Sequence, residues 1–158
     1  AECEELAEGY TGAVFDFACR SGARVAGGQP GVIRNLGRYG RHAGVAWHMR
    51  DDLIAMEAHP DEVAATIEER LSKQSPNFAV SLGAERDELI GEMWMKLRQD
   101  QDDDLARELQ ERVVASGALS AGRERLISQT WRARKALSSL APSPHRDALD
   151  KIAAAIAK

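Results

Sequence analysis

The spacing of the apolar residues constrains the fold of this chain more than any other feature. Apolar side chains recur every three or four positions along nearly the whole length, which is the pattern of amphipathic helices. No segment alternates apolar and polar residues with the period of two that a half-buried strand shows. The sequence therefore predicts an all-α protein, a bundle of helices. The first helix shows the spacing in Leu6, Tyr10, Ala13, Val14, Phe17 and Ala18.

Glycine, proline and polar runs mark where the predicted helices begin and end. A small-residue segment from Gly22 to Gly31 follows the first helix, and Ser116-Gly117 is a predicted helix C-terminus. With no repeat and no low-complexity linker, one domain over residues 1–158 is the economical assignment. Beyond the first helix, helices are predicted over 31–56, 61–73, 84–98, 105–115, 121–140 and 145–157, with a helical turn or short helix at 78–82.

Three glycines recur at helical spacing inside the second predicted helix, at Gly37, Gly40 and Gly44. Each costs up to about 1 kcal/mol of helix propensity relative to alanine. Such a cost is tolerated where another helix, or a ligand, comes close to the backbone. Of these two interpretations we favour close helix packing.

Composition and charge exclude several classes of protein. The 158 residues carry a net charge of -4, and no apolar run approaches the roughly 18 residues that a membrane-spanning helix needs. We therefore expect no transmembrane segment and no binding to nucleic acid. Cys3 and Cys19 suit two reduced, buried thiols in the cytoplasm better than a disulfide framework. The start is acidic rather than signal-like and has no initiator Met, which predicts a processed, trimmed or partial chain.

Common catalytic motifs are absent from the sequence. No phosphate-binding loop follows Gly27-Gly28, because the next residues lack the required Gly-Lys pair. The four His and two Cys have no paired zinc-ligand spacing, and no nucleophile elbow supports a serine hydrolase. A stripe of Arg34, Arg38 and Arg41 on one helix is interpreted as a solvated face.

The adjacent aspartates Asp51 and Asp52 are the candidate metal ligands. Carboxylates at positions i, i+1 and i+4 of a helix can bind Mg²⁺, which prefers oxygen ligands and accompanies diphosphate groups. Here the position four residues after Asp51 is Ala55. The alternative is that both aspartates simply face solvent.

The run from Tyr39 to Asp52 reads Y-G-x-x-x-G-x-A-W-H-x-x-D-D. It resembles the second aspartate-rich region of the trans-isoprenyl diphosphate synthases, the polyprenyl synthetase family, where the helix typically reads Y-G-x-x-L-G-x-A-F-Q-x-x-D-D-x-x-D. Residues 11–15 resemble that family's K-T-x-x-L-F stretch, residues 21–27 its G-A-x-x-A-G stretch, and residues 136–142 its closing A-x-x-x-L-x-x-L-P. The resemblance covers nearly the whole chain, but only the C-terminal half of a family member.

This resemblance implies part of the isoprenoid synthase fold and a Mg²⁺ ion held by Asp51 and Asp52. It also implies a substrate site lined by Thr11 and His48, with Tyr10 at the place of a diphosphate-binding lysine. His48 stands where the family has Gln, and Ala55 where it has a third Asp. The run Asp102-Asp103-Asp104 does not replace the first aspartate-rich motif and is predicted to cap a helix.

Three hypotheses of function follow. The first is a class I, Mg²⁺-dependent half or subunit of a prenyl diphosphate synthase-like enzyme, which condenses or cyclises allylic diphosphates. The second is a catalytically silent subunit that pairs with an active homologue. The third is a helical interaction module with no isoprenoid connection. The first two require a homo- or hetero-oligomer with an isoprenoid synthase-like chain, because half a helical bundle leaves its apolar faces uncovered.

Overall fold

A computed structural model describes residues 2–59, 77–100 and 102–158, leaving aside the side chains of Glu2 and Cys3. Within these ranges every regular element is helical, and the all-α prediction is confirmed. The helix predicted over 61–73 and the side chain of Cys3 lie outside the described part. In chain order the elements are α1 (Glu2–Ala7), a π-turn (Glu8–Gly12), α2 (Ala13–Val25), α3 (Pro30–Glu57), α4 (Phe78–Ala84), α5 (Glu88–Leu97), α6 (Asp103–Ala115), α7 (Ala118–Leu137) and α8 (Pro144–Ile156).

Side-chain caps fix several of the helix starts. Asp102 accepts hydrogen bonds from the N–H groups of Asp104 and Leu105, so its predicted role as a helix cap is confirmed. The helix predicted over 84–98 instead begins at Glu88. Asp87 adopts an extended backbone conformation there, and its carboxylate accepts from the N–H of Leu89.

The chain divides into two compact units, Ala1–Arg50 with Arg125–Lys158, and Asp51–Glu124. We call these the outer-segment unit and the central-segment unit. The assignment of residues 1–158 to a single domain stays a prediction.

The core of the outer-segment unit is built from α3, α7 and α8. Small and branched side chains fill it, and the Tyr39 hydroxyl donates to the carbonyl of Leu149 at 2.8 Å. Burial, with smaller contributions from Cys19 and Asp150, raises the pKa of Tyr39 to about 12. This hydrogen bond ties α3 to α8. The buried apolar residues include Ala43, Val45, Ala46, Met49, Ala133, Leu137, Ala153 and Ile156.

The central-segment unit packs α4, α5 and α6 around a second apolar core. Gln110 lies within it, and its amide nitrogen donates to the carbonyls of Met56 and Ala58 at 3.0 Å each. These bonds satisfy carbonyls at the end of α3 that have no partner within the helix. The buried apolar residues include Phe78, Val80, Leu82, Ile90, Leu109 and Val113.

The glycines of α3 lie against α2 and the π-turn. A Cβ atom added at Gly44 would lie 2.7 Å from the carbonyl oxygen of Thr11, and one added at Gly40 would overlap the carbonyl of Phe15. Side chains larger than hydrogen would push the two segments apart. The prediction of close helix packing at these glycines is confirmed.

No helix in the described ranges is both long and apolar enough to span a lipid bilayer.

Candidate functional site

A π-turn interrupts the helical path between α1 and α2. It spans Glu8–Gly12 and therefore carries Tyr10 and Thr11, two of the three residues predicted to contact substrate. Such single-turn widenings occur frequently at functional sites, because they redirect side chains away from the regular helical register. Sequence periodicity carries no signal for this turn.

The π-turn and α3 bring Thr11 and His48 together. Oγ1 of Thr11 lies 3.3 Å from Nδ1 of His48, within hydrogen-bond distance. Gly44 is one helical turn before His48, and its missing side chain allows the backbone of Thr11 to approach α3. Two residues 37 positions apart thus form a polar pair that is partly open to solvent.

Tyr10 does not join this pair. Its side chain is 71% exposed and belongs to an apolar surface formed by Leu6, Tyr10, Val14 and Phe17, which we call the Tyr10 face. Phe17 is 72% exposed. An open cavity of about 550 Å³ lies along this surface, between Gly9 and Phe17.

The two adjacent aspartates of α3 have different surroundings. Asp51 is exposed, whereas Asp52 is fully buried in the central-segment unit. Oδ2 of Asp52 accepts the backbone N–H of Phe78 at 2.7 Å, and the amide of Asn77 donates to the Asp52 carbonyl at 3.4 Å. The Asp52 carboxylate therefore acts as a cap for the first turn of α4. Its predicted role as a metal ligand stays a prediction.

The described residues do not by themselves form a magnesium site. No group of three or more His, Cys, Asp or Glu side chains among them is arranged to hold a metal ion. Ala55, four positions after Asp51, offers no oxygen ligand. Asp51 remains the one carboxylate of the predicted pair that faces solvent.

The buried carboxylate of Asp16 was not predicted from the sequence. It is only 8% exposed and pairs with the guanidinium groups of Arg20 and Arg41, the latter at 3.0 Å. Burial raises its pKa, but hydrogen bonds and charge from the two arginines outweigh this, so the pKa of Asp16 lies below its ordinary value. Arg41 is therefore not simply part of a solvated stripe. The i, i+4 spacing of Asp16 and Arg20 was a visible signal, whereas Arg41 required the tertiary structure.

The sequence is similar to those of known prenyl diphosphate synthases. No family model matches the sequence. A geranylfarnesyl diphosphate synthase from Aeropyrum pernix is 30% identical over 131 residues, which are 81% of this chain and 40% of that protein. A (2E,6E)-farnesyl diphosphate synthase from Mycobacterium tuberculosis is 38% identical over 60 residues, which are 38% of this chain and 17% of that protein.

Solved structures show the same fold over nearly the whole chain. A decaprenyl diphosphate synthase from Rhodobacter capsulatus matches with a TM-score of 0.78 and 25% identity, over 98% of this chain and 48% of that one. A geranylgeranyl pyrophosphate synthase from Lactobacillus brevis, complexed with citrate, gives a TM-score of 0.84 at 20% identity, over 95% of this chain and 48% of that one.

A third solved structure was determined with ligands. It is a polyprenyl synthase from Caulobacter crescentus complexed with calcium and isoprenyl diphosphate, and it matches with a TM-score of 0.81 at 22% identity. The match covers 98% of this chain and 48% of that one. By sequence and fold together, the chain belongs to the polyprenyl synthetase family, and it spans about half the length of the full-length synthases that it matches.

Proposed function

We propose that this chain supplies half of a class I prenyl diphosphate synthase that acts on allylic diphosphates in isoprenoid biosynthesis. The observation that carries the proposal is the 30% identity to a geranylfarnesyl diphosphate synthase over 81% of the chain. Family membership also removes the hypothesis of a helical module with no isoprenoid connection.

In this proposal Thr11 and His48 contact the substrate. The hydroxyl and the imidazole lie 3.3 Å apart, and one donates to the other, so the remaining O–H or N–H of the pair can donate a hydrogen bond to a phosphate oxygen. Gly40 and Gly44 allow the segment carrying Thr11 to lie close to α3, so the pair is positioned before the substrate arrives. Tyr10 precedes Thr11 in sequence and would line the apolar side of the substrate cavity.

The Tyr10 face is the surface on which we expect the second half of the enzyme to dock. Large exposed apolar side chains in a contiguous group rarely stay uncovered in a folded protein. Because the chain spans about half of its relatives, the covering partner is proposed to be a helical, isoprenoid synthase-like chain, in a homo- or hetero-oligomer.

Mg²⁺ is proposed for the assembled enzyme only. When bound to a diphosphate, this ion supplies charge neutralisation of the leaving group. Asp51 would be the carboxylate offered by this chain, and the remaining ligands would come from the diphosphate and the second chain. Among the described residues, this chain alone does not complete a site for the ion.

A catalytically silent, regulatory subunit is the second candidate. The enclosed Asp52 and the alanine at position 55 favour it, since together they leave Asp51 as the only exposed carboxylate of the motif. Such a subunit would bind the active homologue through the Tyr10 face without contributing a substrate contact.

Co-purification from the native source, followed by an assay with farnesyl and isopentenyl diphosphates and Mg²⁺, separates these candidates. If this chain contributes to catalysis, His48→Ala lowers product formation by the purified complex. If it is silent, the His48→Ala complex is as active as the unaltered one. Failure of the complex to form any prenyl product would contradict both.

A further inference from the structure

The two units of the chain carry opposite charge. The outer-segment unit has 13 Lys and Arg residues against 7 Asp and Glu, whereas the central-segment unit has 8 against 18. Their formal net charges are therefore +6 and -10, which together give the -4 of the whole chain. One unit of the chain is therefore basic, although the net charge of the whole chain is negative. A strong charge asymmetry of this kind points to an anionic partner for the basic part.

Three of these 13 cations lie along a groove between α3 and α7. The groove has a volume of about 480 Å³, and its lining includes Arg38, Arg132 and Lys135 but no Asp or Glu. Since a concave surface lined by one sign of charge concentrates the electrostatic potential, the groove is suited to binding an anion.

Two cross-helix hydrogen bonds hold the walls of the groove together. Asn35 donates from its amide nitrogen to Oγ of Ser139 at 2.6 Å, and His42 donates from Nδ1 to Oε1 of Gln129 at 2.8 Å. Arg38 lies between Asn35 and His42 on the same face of α3, at spacings of three and four residues. The two hydrogen bonds therefore fix the part of α3 that carries Arg38 relative to α7, one on each side of this residue.

The cations of the groove have no carboxylate partners among the described residues. Elsewhere in the same unit, Arg20 and Arg41 pair with Asp16, and Arg134 pairs with Asp150. In contrast, neither Arg38 nor Arg132 makes an ion pair within the described ranges. Lys135 instead places Nζ 4.7 Å from the ring centroid of Trp131.

From this arrangement we infer that the α3–α7 groove binds a phosphate-bearing ligand. Arg38, Arg132 and Lys135 surround the phosphate, and Trp131 forms an apolar wall for the organic part of the ligand. Two guanidinium groups and an ammonium match the several oxygens of a phosphate or diphosphate, which accept paired, charge-assisted hydrogen bonds. The site contains none of the residues assigned to the proposed synthase chemistry. Binding at this site does not depend on that proposed function.

The direct test is calorimetric titration of the full chain with inorganic pyrophosphate, with EDTA present to exclude metal-dependent binding. The double variant Arg38→Gln/Arg132→Gln should weaken binding roughly tenfold or more, because it removes two charge-assisted partners. Arg24→Gln removes an exposed positive charge of the same unit outside the groove and should change the affinity less than about twofold.

A spectroscopic readout locates the binding. With 5-fluorotryptophan at the three Trp positions, the resonance identified by Trp131→Phe should shift on adding pyrophosphate, and the other two should not. Phosphatidylcholine vesicles with and without phosphatidic acid then distinguish the two sources of the phosphate. If the double variant loses binding both to pyrophosphate and to the vesicles that contain phosphatidic acid, the ligand is a lipid headgroup. If it loses binding to pyrophosphate and the unaltered protein does not bind the vesicles, the ligand is a free metabolite. Absence of saturable pyrophosphate binding, or equal weakening by Arg24→Gln, would overturn the inference.

Discussion

Asp52 and Phe78 are joined by a buried hydrogen bond, in which the carboxylate of one accepts the backbone N–H of the other at 2.7 Å. The acceptor, Asp52, is one of the two adjacent aspartates that were predicted from the sequence to bind a metal ion. Its neighbour Asp51 is exposed, so adjacent residues of identical chemistry have different surroundings.

We expect Asp52→Ala to destabilise the chain by about 1–3 kcal/mol, since it leaves a buried N–H at the start of α4 without its partner. Urea unfolding followed by circular dichroism measures this. Asp51→Ala is the matched control, and its effect should stay within about 0.5 kcal/mol. Equal effects of the two substitutions would contradict a capping role for Asp52.

Gly44→Ala should destabilise the protein by about 1–3 kcal/mol, although alanine is the better helix former. Its Cβ would lie 2.7 Å from the Thr11 carbonyl oxygen, which forces α3 and the π-turn apart. Gly22→Ala provides the control, because in the described part of the chain no atom beyond the neighbouring backbone of its own helix lies within 4 Å of a Cβ added there. That variant should be neutral or slightly stabilised in thermal unfolding. A stabilised Gly44→Ala protein would show that the close approach is unnecessary.

Because of Asp16, the free energy of unfolding should decrease as the pH is lowered into the acidic range. Its pKa is lower in the folded protein than its ordinary value, so the ionised form stabilises the fold at neutral pH. This contribution is lost as the pH falls through the folded-state pKa. The free energy of unfolding of Asp16→Asn should therefore fall less than that of the unaltered protein between about pH 5 and pH 2. Parallel curves for the two proteins, measured by urea titration at each pH, would refute the assignment.

Restoring a second carboxylate beside Asp51 should strengthen metal binding. Ala55→Asp places an oxygen ligand one turn away on the same helix, and we expect tighter diphosphate-dependent Mg²⁺ binding by the complex with its partner chain. Asp51→Asn should weaken it. Calorimetry with a non-hydrolysable prenyl diphosphate analogue compares the three proteins. Identical isotherms would remove Asp51 from the proposed metal site.

Most helices of the described ranges, the cap at Asp102 and the close packing at the glycines of α3 could be predicted from the sequence, because apolar periodicity and local capping act over only a few residues. The start at Glu88, capped by Asp87, was not predicted. The contact between Asp52 and Phe78 and the ion pair between Asp16 and Arg41 could not be predicted. They join residues 26 and 25 positions apart, and no local pattern encodes such distances.

The π-turn was missed for a different reason. Its backbone departs from the ordinary helix by one residue, while the apolar spacing from Leu6 to Phe17 continues to look helical. The basic groove was missed because its two walls come from segments about 100 residues apart. The arginines of α3 alone have the spacing of an ordinary solvated surface.

The glycines of α3 also bear on the order in which the chain folds. Gly31, Gly37, Gly40 and Gly44 make the first half of this helix a poor autonomous helix, because each lowers helix propensity and nucleation is already unfavourable. That half gains lasting structure only when α2 docks against it. The two segments therefore form one cooperative folding unit, whose amides should exchange with solvent deuterium at a common rate.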